Sequence, residues 1–261
     1  MIEATKVVVP SVRDRVTPEE WAARVDLAAC YRLFDLYGMS DLTANHISVR
    51  VPGEDAFLIN PYGMLYEEIT ASSLIKVDVS GEILLKPDFG ELDYGLNKAG
   101  FVIHGAIHEA RHDVGCVAHT HTVAGMAVSS LECGILPLTQ TAMRFAHAAY
   151  HDFQGVVLDE KEKHSLIGDL GNGAYMVLRN HGLLVATASV AEAFNAMHRL
   201  EQVCQAQLRA MACGRDMQLV APDVVEQTWK NYLPSTRRPF GVMEWPAMLR
   251  KLNRIDPGYR S

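Results

Sequence analysis

Residues 96–122 read LNKAGFVIHGAIHEARHDVGCVAHTHT, and a change of pattern inside this stretch decides the class of fold. From Ala99 to Ala110 the apolar side chains return at helical intervals. Gly115-Cys116-Val117-Ala118-His119-Thr120-His121 is instead a short apolar run closing on polar groups, the pattern of a buried strand. Tyr175-Met176-Val177-Leu178-Arg179-Asn180-His181-Gly182 repeats that logic, and the apolar Leu183 to Ala186 follow it.

Working outward, Thr17-Pro18-Glu19-Glu20 opens a helix: Thr17 can cap it, Pro18 suits the first turn and Glu20 would complete a capping box. Ala22, Val25, Ala29, Leu33 and Leu36 recur at three and four residue intervals up to Gly38, which predicts a helix from about 18 to 37. Short apolar runs follow at His46 to Val51, Ala56 to Ile59, Leu74 to Val79 and Glu82 to Leu85, with Ser80-Gly81 as a hairpin turn. Further helices are predicted near 122–131 and 160–169. The longest opens at Ser189, again with a capping glutamate at Glu192, and runs to Gly214. Beyond Gly214 the chain is proline-rich, with Trp229, Trp245 and Tyr259 as its largest side chains. Helices and strands are interleaved without a strict βαβ rhythm, which predicts a three-layer α/β/α sandwich on a largely antiparallel or mixed sheet. Residues 1–16 are expected to form a flexible leader, and 17–261 a single domain with an irregular C-terminal tail from about 215 to 261.

The composition, 49% hydrophobic and 21% charged over 261 residues, is that of a globular protein with one large core. No window of about 18 apolar residues is present, and the N-terminus lacks a secretory signal, so no membrane association is expected. A net charge of -7 argues against a nucleic-acid surface. Five scattered cysteines without a CxxC pair suit a reducing compartment, and the expected location is the cytoplasm. Eleven histidines are an excess that points towards metal or proton chemistry.

Residues i and i+2 of a strand project from one face, so His119 and His121 can converge on one ion while Thr120 points away. Imidazole is a borderline ligand suited to zinc or iron. Spacing alone leaves two readings open, a metal-binding pair or two polar residues at a strand end. His181 also ends an apolar run, beside Gly182, whose lack of a side chain permits a sharp turn or a close approach. It is the candidate third ligand, although by itself it is only a histidine beside a glycine.

Four segments occur in order: residues 96–122, YHDFQG at 150–155, LRNHGLL at 178–184, and SVAEAF at 189–194. Together they closely resemble the class II aldolase/adducin superfamily, and a looser likeness reaches back through DLTANHISVR (41–50) to the first helix. The resemblance implies that His119, His121 and His181 bind one divalent ion per subunit, with zinc first and Fe(II), manganese or cobalt as the other choices. It also implies a small-molecule substrate and a homo-oligomer, a tetramer.

In the sugar-phosphate aldolases of that superfamily the metal acts as a Lewis acid, and a glutamate four residues before a helix histidine moves the proton. Counted back from His104, that place is Gly100 here. The phosphate-binding segments differ as well, reading Asn45-His46 and Lys98-Ala99. These departures match the adducin-like pattern N-x-A-G-F-x-x-H at Asn97, Ala99, Gly100, Phe101 and His104.

Three readings are therefore carried forward. The leading one is a metal-dependent lyase, for aldol cleavage or decarboxylation of a small non-phosphorylated carbonyl or oxo-acid. The second is a non-haem Fe(II) oxygenase acting on an aromatic 2-oxo or 2-hydroxy acid, and the third a non-catalytic adducin-like assembly module. Candidate acid/base groups are His151 and Asp152, otherwise a loop hydrogen-bond pair. Tyr259 is a further candidate, by the resemblance contributed to a neighbouring subunit's metal, and otherwise a tail residue. Candidate substrate contacts are Asn45, His46 and Ser48, Gly63 as a backbone approach point, and Gln140. Asn and Ser are also ordinary turn residues.

Overall fold

The computed structural model describes residues 7–155 and 160–261, so residues 1–6 of the expected leader lie outside it. In chain order the main elements are α1 (Pro18–Leu36), β1 (His46–Arg50), β2 (Ala56–Ile59), β3 (Ile75–Asp78), β4 (Ile83–Leu85) and α2 (Lys98–Ala110). There follow β5 (Cys116–Thr120), α3 (Val123–Ser129), β6 (Ala149–His151), α4 (Glu160–Leu170), β7 (Tyr175–Leu178), β8 (Gly182–Thr187), α5 (Val190–Ala212), α6 (Pro222–Lys230) and α7 (Trp245–Ile255).

Among the described residues eight strands form one sheet in the order β4-β3-β2-β1-β5-β8-β7-β6. All pairings are antiparallel except β6 with β7. The sheet is mixed and covered on both faces, as the sequence predicts. Alternation along β5 explains the layers. Cys116 and Ala118 enter the large core with Leu27, Tyr31 and Phe34 of α1 and Met197 and Leu200 of α5. Val117 faces the other way, joining Ile103 and Ile107 of α2 and Leu166 and Leu170 of α4. Fully burying each such large apolar side chain contributes roughly 1.5–3 kcal/mol.

Two polar anchors fix α1 against the sheet. The buried Tyr31 hydroxyl meets the Ile47 carbonyl and the Asn60 side chain, and the Ile47 amide donates back to it at 2.8 Å. The buried Arg24 guanidinium donates to Glu20 at 2.8 Å and to the Leu74 carbonyl at 2.8 Å, locking α1 onto the entry to β3. Glu20 therefore does not complete a capping box. Thr17 accepts from the Glu20 amide at 3.1 Å, but the Glu20 carboxylate is used by Arg24 and by Lys76 at 2.9 Å.

Three expectations need correction. Within the leader, Val12 is buried and Val7 and Val9 pack on the core. The C-terminal region is not irregular but carries α6 and α7, both with a proline in the first turn, where its fixed φ and missing N–H cost nothing. Tyr259 is not poised for another subunit. It is fully buried in its own chain's core, and its hydroxyl donates to Asn253 at 2.8 Å. Tyr259→Phe is accordingly expected to cost about 1 kcal/mol of stability, read as a lowered urea midpoint, and to leave metal content unchanged. A loss of metal with unaltered stability would contradict this placement.

Candidate metal centre

The pairing β1-β5-β8 builds the site. His46 lies directly opposite His119 across β1 and β5, and His119 lies opposite Leu184 across β5 and β8. His121 follows the last residue of β5. His181 is not at the end of a strand, as the sequence suggests, but in the tight turn from β7 to β8, where Leu178 pairs with Gly182 and Asn180 adopts φ +55°. Gly182 is needed for this approach, since a Cβ there would lie 2.2 Å from the Thr120 carbonyl oxygen. Strand and turn thus bring together side chains about 60 residues apart.

The three rings meet through their Nε2 atoms, 2.8 Å between His119 and His121 and 2.9 Å between His121 and His181. His119 is buried and donates from Nδ1 to the Leu183 carbonyl at 2.9 Å; His121 donates from Nδ1 to the Asp41 carboxylate at 3.0 Å. Those donations leave a lone pair on each Nε2, so the 2.8 Å contact between His119 and His121 brings two acceptors face to face. A cation between them resolves the conflict. Tetrahedral zinc with Zn–N of about 2.0–2.1 Å needs nitrogens about 3.3 Å apart, a small side-chain adjustment from the distances here. The donor set, with His119 buried and His121 and His181 partly so, fits a divalent ion, and Asp41 and the Leu183 carbonyl orient two of the candidate ligands. Sequence reasoning passed over Asp41, because a carboxylate 80 residues from its histidine carries no spacing signal.

A proton is a poor substitute for that ion. Burial, reinforced by the neighbouring histidines, holds His119 well below the usual range and His181 down to about 4. Burial likewise lowers His46 to about 4 and, with Arg50 adding to it, His108 to about 3. On unfolding, such rings return to a pKa near 6.5 and take up protons, so acid favours the unfolded chain. In chelator-treated protein the urea midpoint is expected to be level above pH 7 and to fall between pH 6.5 and about 5, before carboxylates titrate. The slope should exceed the roughly 1.4 kcal/mol per pH unit that one histidine supplies. A level profile through that window would mean the rings are not held neutral.

The triad opens on a cavity of about 340 Å³ that is also lined by Ala44, His46, Asn97, Gly100, Ile103 and Phe153. His46 is buried and neither ring nitrogen has a hydrogen-bond partner among the described residues. Its ring fills the space beside Gly100, where an added Cβ would stand 2.4 Å from it. The buried Asn45 amide is likewise without a partner.

The remaining candidates are distributed differently. His151 is buried and meets Asp169 at 2.7 Å, not its neighbour Asp152, and with His181 it lines a small adjoining cavity. Asp152 is exposed and reaches Arg179 at 3.5 Å. Ser48 does not contact the cavity. Its buried hydroxyl is shared between His104 Nδ1 at 2.6 Å and His108 Nε2 at 2.8 Å, a pairing that fastens α2 to β1. Gly63 (φ +108°) does not approach the triad either, but lies against the Tyr94 ring, which leaves no room for a side chain. Gln140 lines a separate cavity with three arginines.

The fold is that of the class II aldolases. An aldolase II superfamily protein from Pseudomonas syringae matches with a TM-score of 0.88 at 42% identity, covering 97% of this chain and 100% of that one. An L-fuculose 1-phosphate aldolase from Glaciozyma antarctica matches with a TM-score of 0.79 at 26% identity over 93% of both chains. The family model for the class II aldolase and adducin N-terminal domain matches residues 25–208, and the chain belongs to that family. A class 2 aldolase-family protein from Pseudomonas aeruginosa is 44% identical over 95% of this chain and 96% of its own length. Rat alpha-adducin is 42% identical over 91% of this chain, which spans 34% of that longer protein. Among the described residues no helix is long and apolar enough to cross a membrane.

Proposed function

We propose that the chain is a divalent-metal-dependent lyase that cleaves or decarboxylates a small non-phosphorylated carbonyl or oxo-acid, with His119, His121 and His181 as the metal ligands. The observation that carries the reading is the contact between lone pairs at His119 and His121, backed by carbonyl and carboxylate partners that keep both rings in the ligating tautomer. A bound divalent ion supplies Lewis acidity towards a carbonyl oxygen.

The chain's own groups divide the remaining work. His46, neutral near pH 7, can donate from one nitrogen and accept at the other, so it is assigned to a substrate oxygen. Asn45 and Asn97 border the same region and supply amide donors and acceptors. His151, held by Asp169, is the candidate for moving a proton near His181. Ile103 and Phe153 give the cavity an apolar side. A non-phosphorylated substrate is favoured because Asn45-His46 and Lys98-Ala99 replace the aldolase phosphate segments and, among the described residues, no arginine lines the triad's cavity. A cytoplasmic homotetramer is part of the reading: the cysteines are unpaired, and Val242, Met243 and Ile255 leave apolar surface at the C-terminal helices.

The similarity to alpha-adducin keeps one further reading in view, an assembly module whose site is not used in catalysis. Elemental analysis of protein purified without added metal separates the readings, followed by assays of carbonyl release and oxygen uptake with 2-oxo and 2-hydroxy acids. Stoichiometric zinc, manganese or cobalt with substrate cleavage and no oxygen use is the expected result. Iron with substrate-dependent oxygen uptake would replace the lyase by an oxygenase, and protein that neither retains nor takes up metal would favour the module.

A further inference from the structure

The cavity that holds Gln140 borders a buried cation that makes no ion pair among the described residues. Arg144, in the turn of 3-10 helix Ala142–Phe145, is 6% exposed. Its Nε donates to the Tyr175 hydroxyl at 2.9 Å and its Nη1 to the Asn195 side-chain oxygen at 2.7 Å, both neutral acceptors. Aromatic rings surround it, Tyr175 at 5.1 Å and Phe240 at 4.4 Å from the guanidinium carbon. Among the described residues no carboxylate lies within ion-pair distance of it, and Arg199 and Arg237 likewise have only neutral partners. Neutral hydrogen bonds and ring faces offset part of the desolvation of a buried charge but do not neutralise it.

A second cation aggravates this. The Arg237 guanidinium lies over the same Phe240 ring, 3.5 Å from its centroid, so Arg144 and Arg237 can stand no farther apart than those two distances laid end to end. Both line a cavity of about 290 Å³ together with Arg199, Glu244, Thr141, Asn195 and Tyr232. The Glu244 carboxylate accepts the Gly241 amide at 3.0 Å. Three arginines and one glutamate leave two positive charges facing the space. The local balance runs against that of the whole chain, whose net charge is -7, since residues 231–261 carry six Arg or Lys against two acids.

We propose that this cavity binds a small phosphate monoester, at a site separate from the metal centre. A monoester phosphate carries about -1.5 to -2 charges at pH 7, matching the excess, and guanidinium forks pair with its oxygens in a bidentate manner. Thr141 adds a hydroxyl donor to the lining, and the Phe240 ring packs against both guanidiniums. The cavity shares no lining residue with the one at the triad, so the proposal stands independently of the lyase reading.

The test is calorimetric titration of the purified 261-residue chain with inorganic phosphate and with glycerol 2-phosphate at constant ionic strength set by sodium chloride. Arg144→Ala would remove a buried, doubly hydrogen-bonded side chain, so Arg237→Ala and Arg199→Ala, at more exposed positions, carry the comparison. Saturable binding is expected, weakened at least ~10-fold in Arg237→Ala and unchanged in His181→Ala, with glycerol 2-phosphate bound at least as well as inorganic phosphate. Binding that is lost in His181→Ala but kept in Arg237→Ala would assign the anion to the metal centre and overturn the proposal. So would the absence of saturable binding. If Arg237→Ala instead lowers the sedimentation mass while neither phosphate binds, the arginines face acidic groups of another copy of the chain, and the proposal fails.

Discussion

His181→Ala is expected to abolish stable metal binding while leaving the fold intact. The side chain sits in the turn between β7 and β8 and is only partly buried, so its removal opens no core cavity. It does delete one of three nitrogens, and the two that remain, though still oriented by Leu183 and Asp41, cannot enclose an ion. Altering a group that merely orients a ligand typically costs 10- to 100-fold in affinity, and loss of a ligand itself is placed at about 10³-fold or more, roughly 4 kcal/mol. The measurement is metal stoichiometry after dialysis, paired with thermal unfolding. At a zinc concentration 100 times the wild-type Kd, wild type should gain about 2.7 kcal/mol over its chelator-treated form, and His181→Ala almost none. Equal stabilisation of both proteins would remove His181 from the ligand set.

Gly100→Ala should disable the same cavity without touching a ligand. The new Cβ would stand 2.4 Å from Cε1 and Nδ1 of His46 and 2.6 Å from its Cγ. Those atoms belong to a buried ring rather than to the loose end of a flexible side chain, so either the ring or α2 must move. Overpacking of this kind costs about 1–3 kcal/mol, and a displacement near 1 Å at a reacting group can cost about 10²-fold in turnover. The expected outcome is a lower urea midpoint, retained metal, and, for the proposed lyase activity, at least ~10²-fold lower kcat/KM. His46→Ala should largely relieve the stability loss when combined with Gly100→Ala, because the clash lies between these two side chains. Additive losses in the double variant would show that the ring is not what the alanine meets.

This second case marks where sequence reasoning stops. Gly100 could be read as the place of a missing carboxylate, but not as room made for an imidazole. His46 belongs to β1 and Gly100 to α2, and only the folding of α2 over the sheet puts one against the other. The absent glutamate and the buried histidine are thus two sides of one packing arrangement. His181 is similar: its distance along the chain from His119 is bridged by the β5-β8 pairing, and a turn or close approach at Gly182 was legible while the strand it approaches was not. The C-terminal helices are obscured for a local reason: two of the prolines in the proline-rich stretch stand in the first turns of α6 and α7, which tolerate them.

By itself the sequence determined what depends on near neighbours. The cap at Thr17, the course of α1, the long α5 opened by Ser189, the alternation that buries β5 on both faces and the pairing of His119 with His121 on one side of it all follow from spacings of two to four residues. The tertiary structure decided what depends on which elements meet. It set Asp41 behind His121, His46 beside Gly100, Tyr259 in the core and Gln140 in one cavity with Arg199 and Arg237 rather than with the triad. Those contacts join segments tens to hundreds of residues apart, and their partners are selected by the burial of whole helix and strand faces. Local periodicity encodes which face of an element is apolar; it does not encode which other face will cover it.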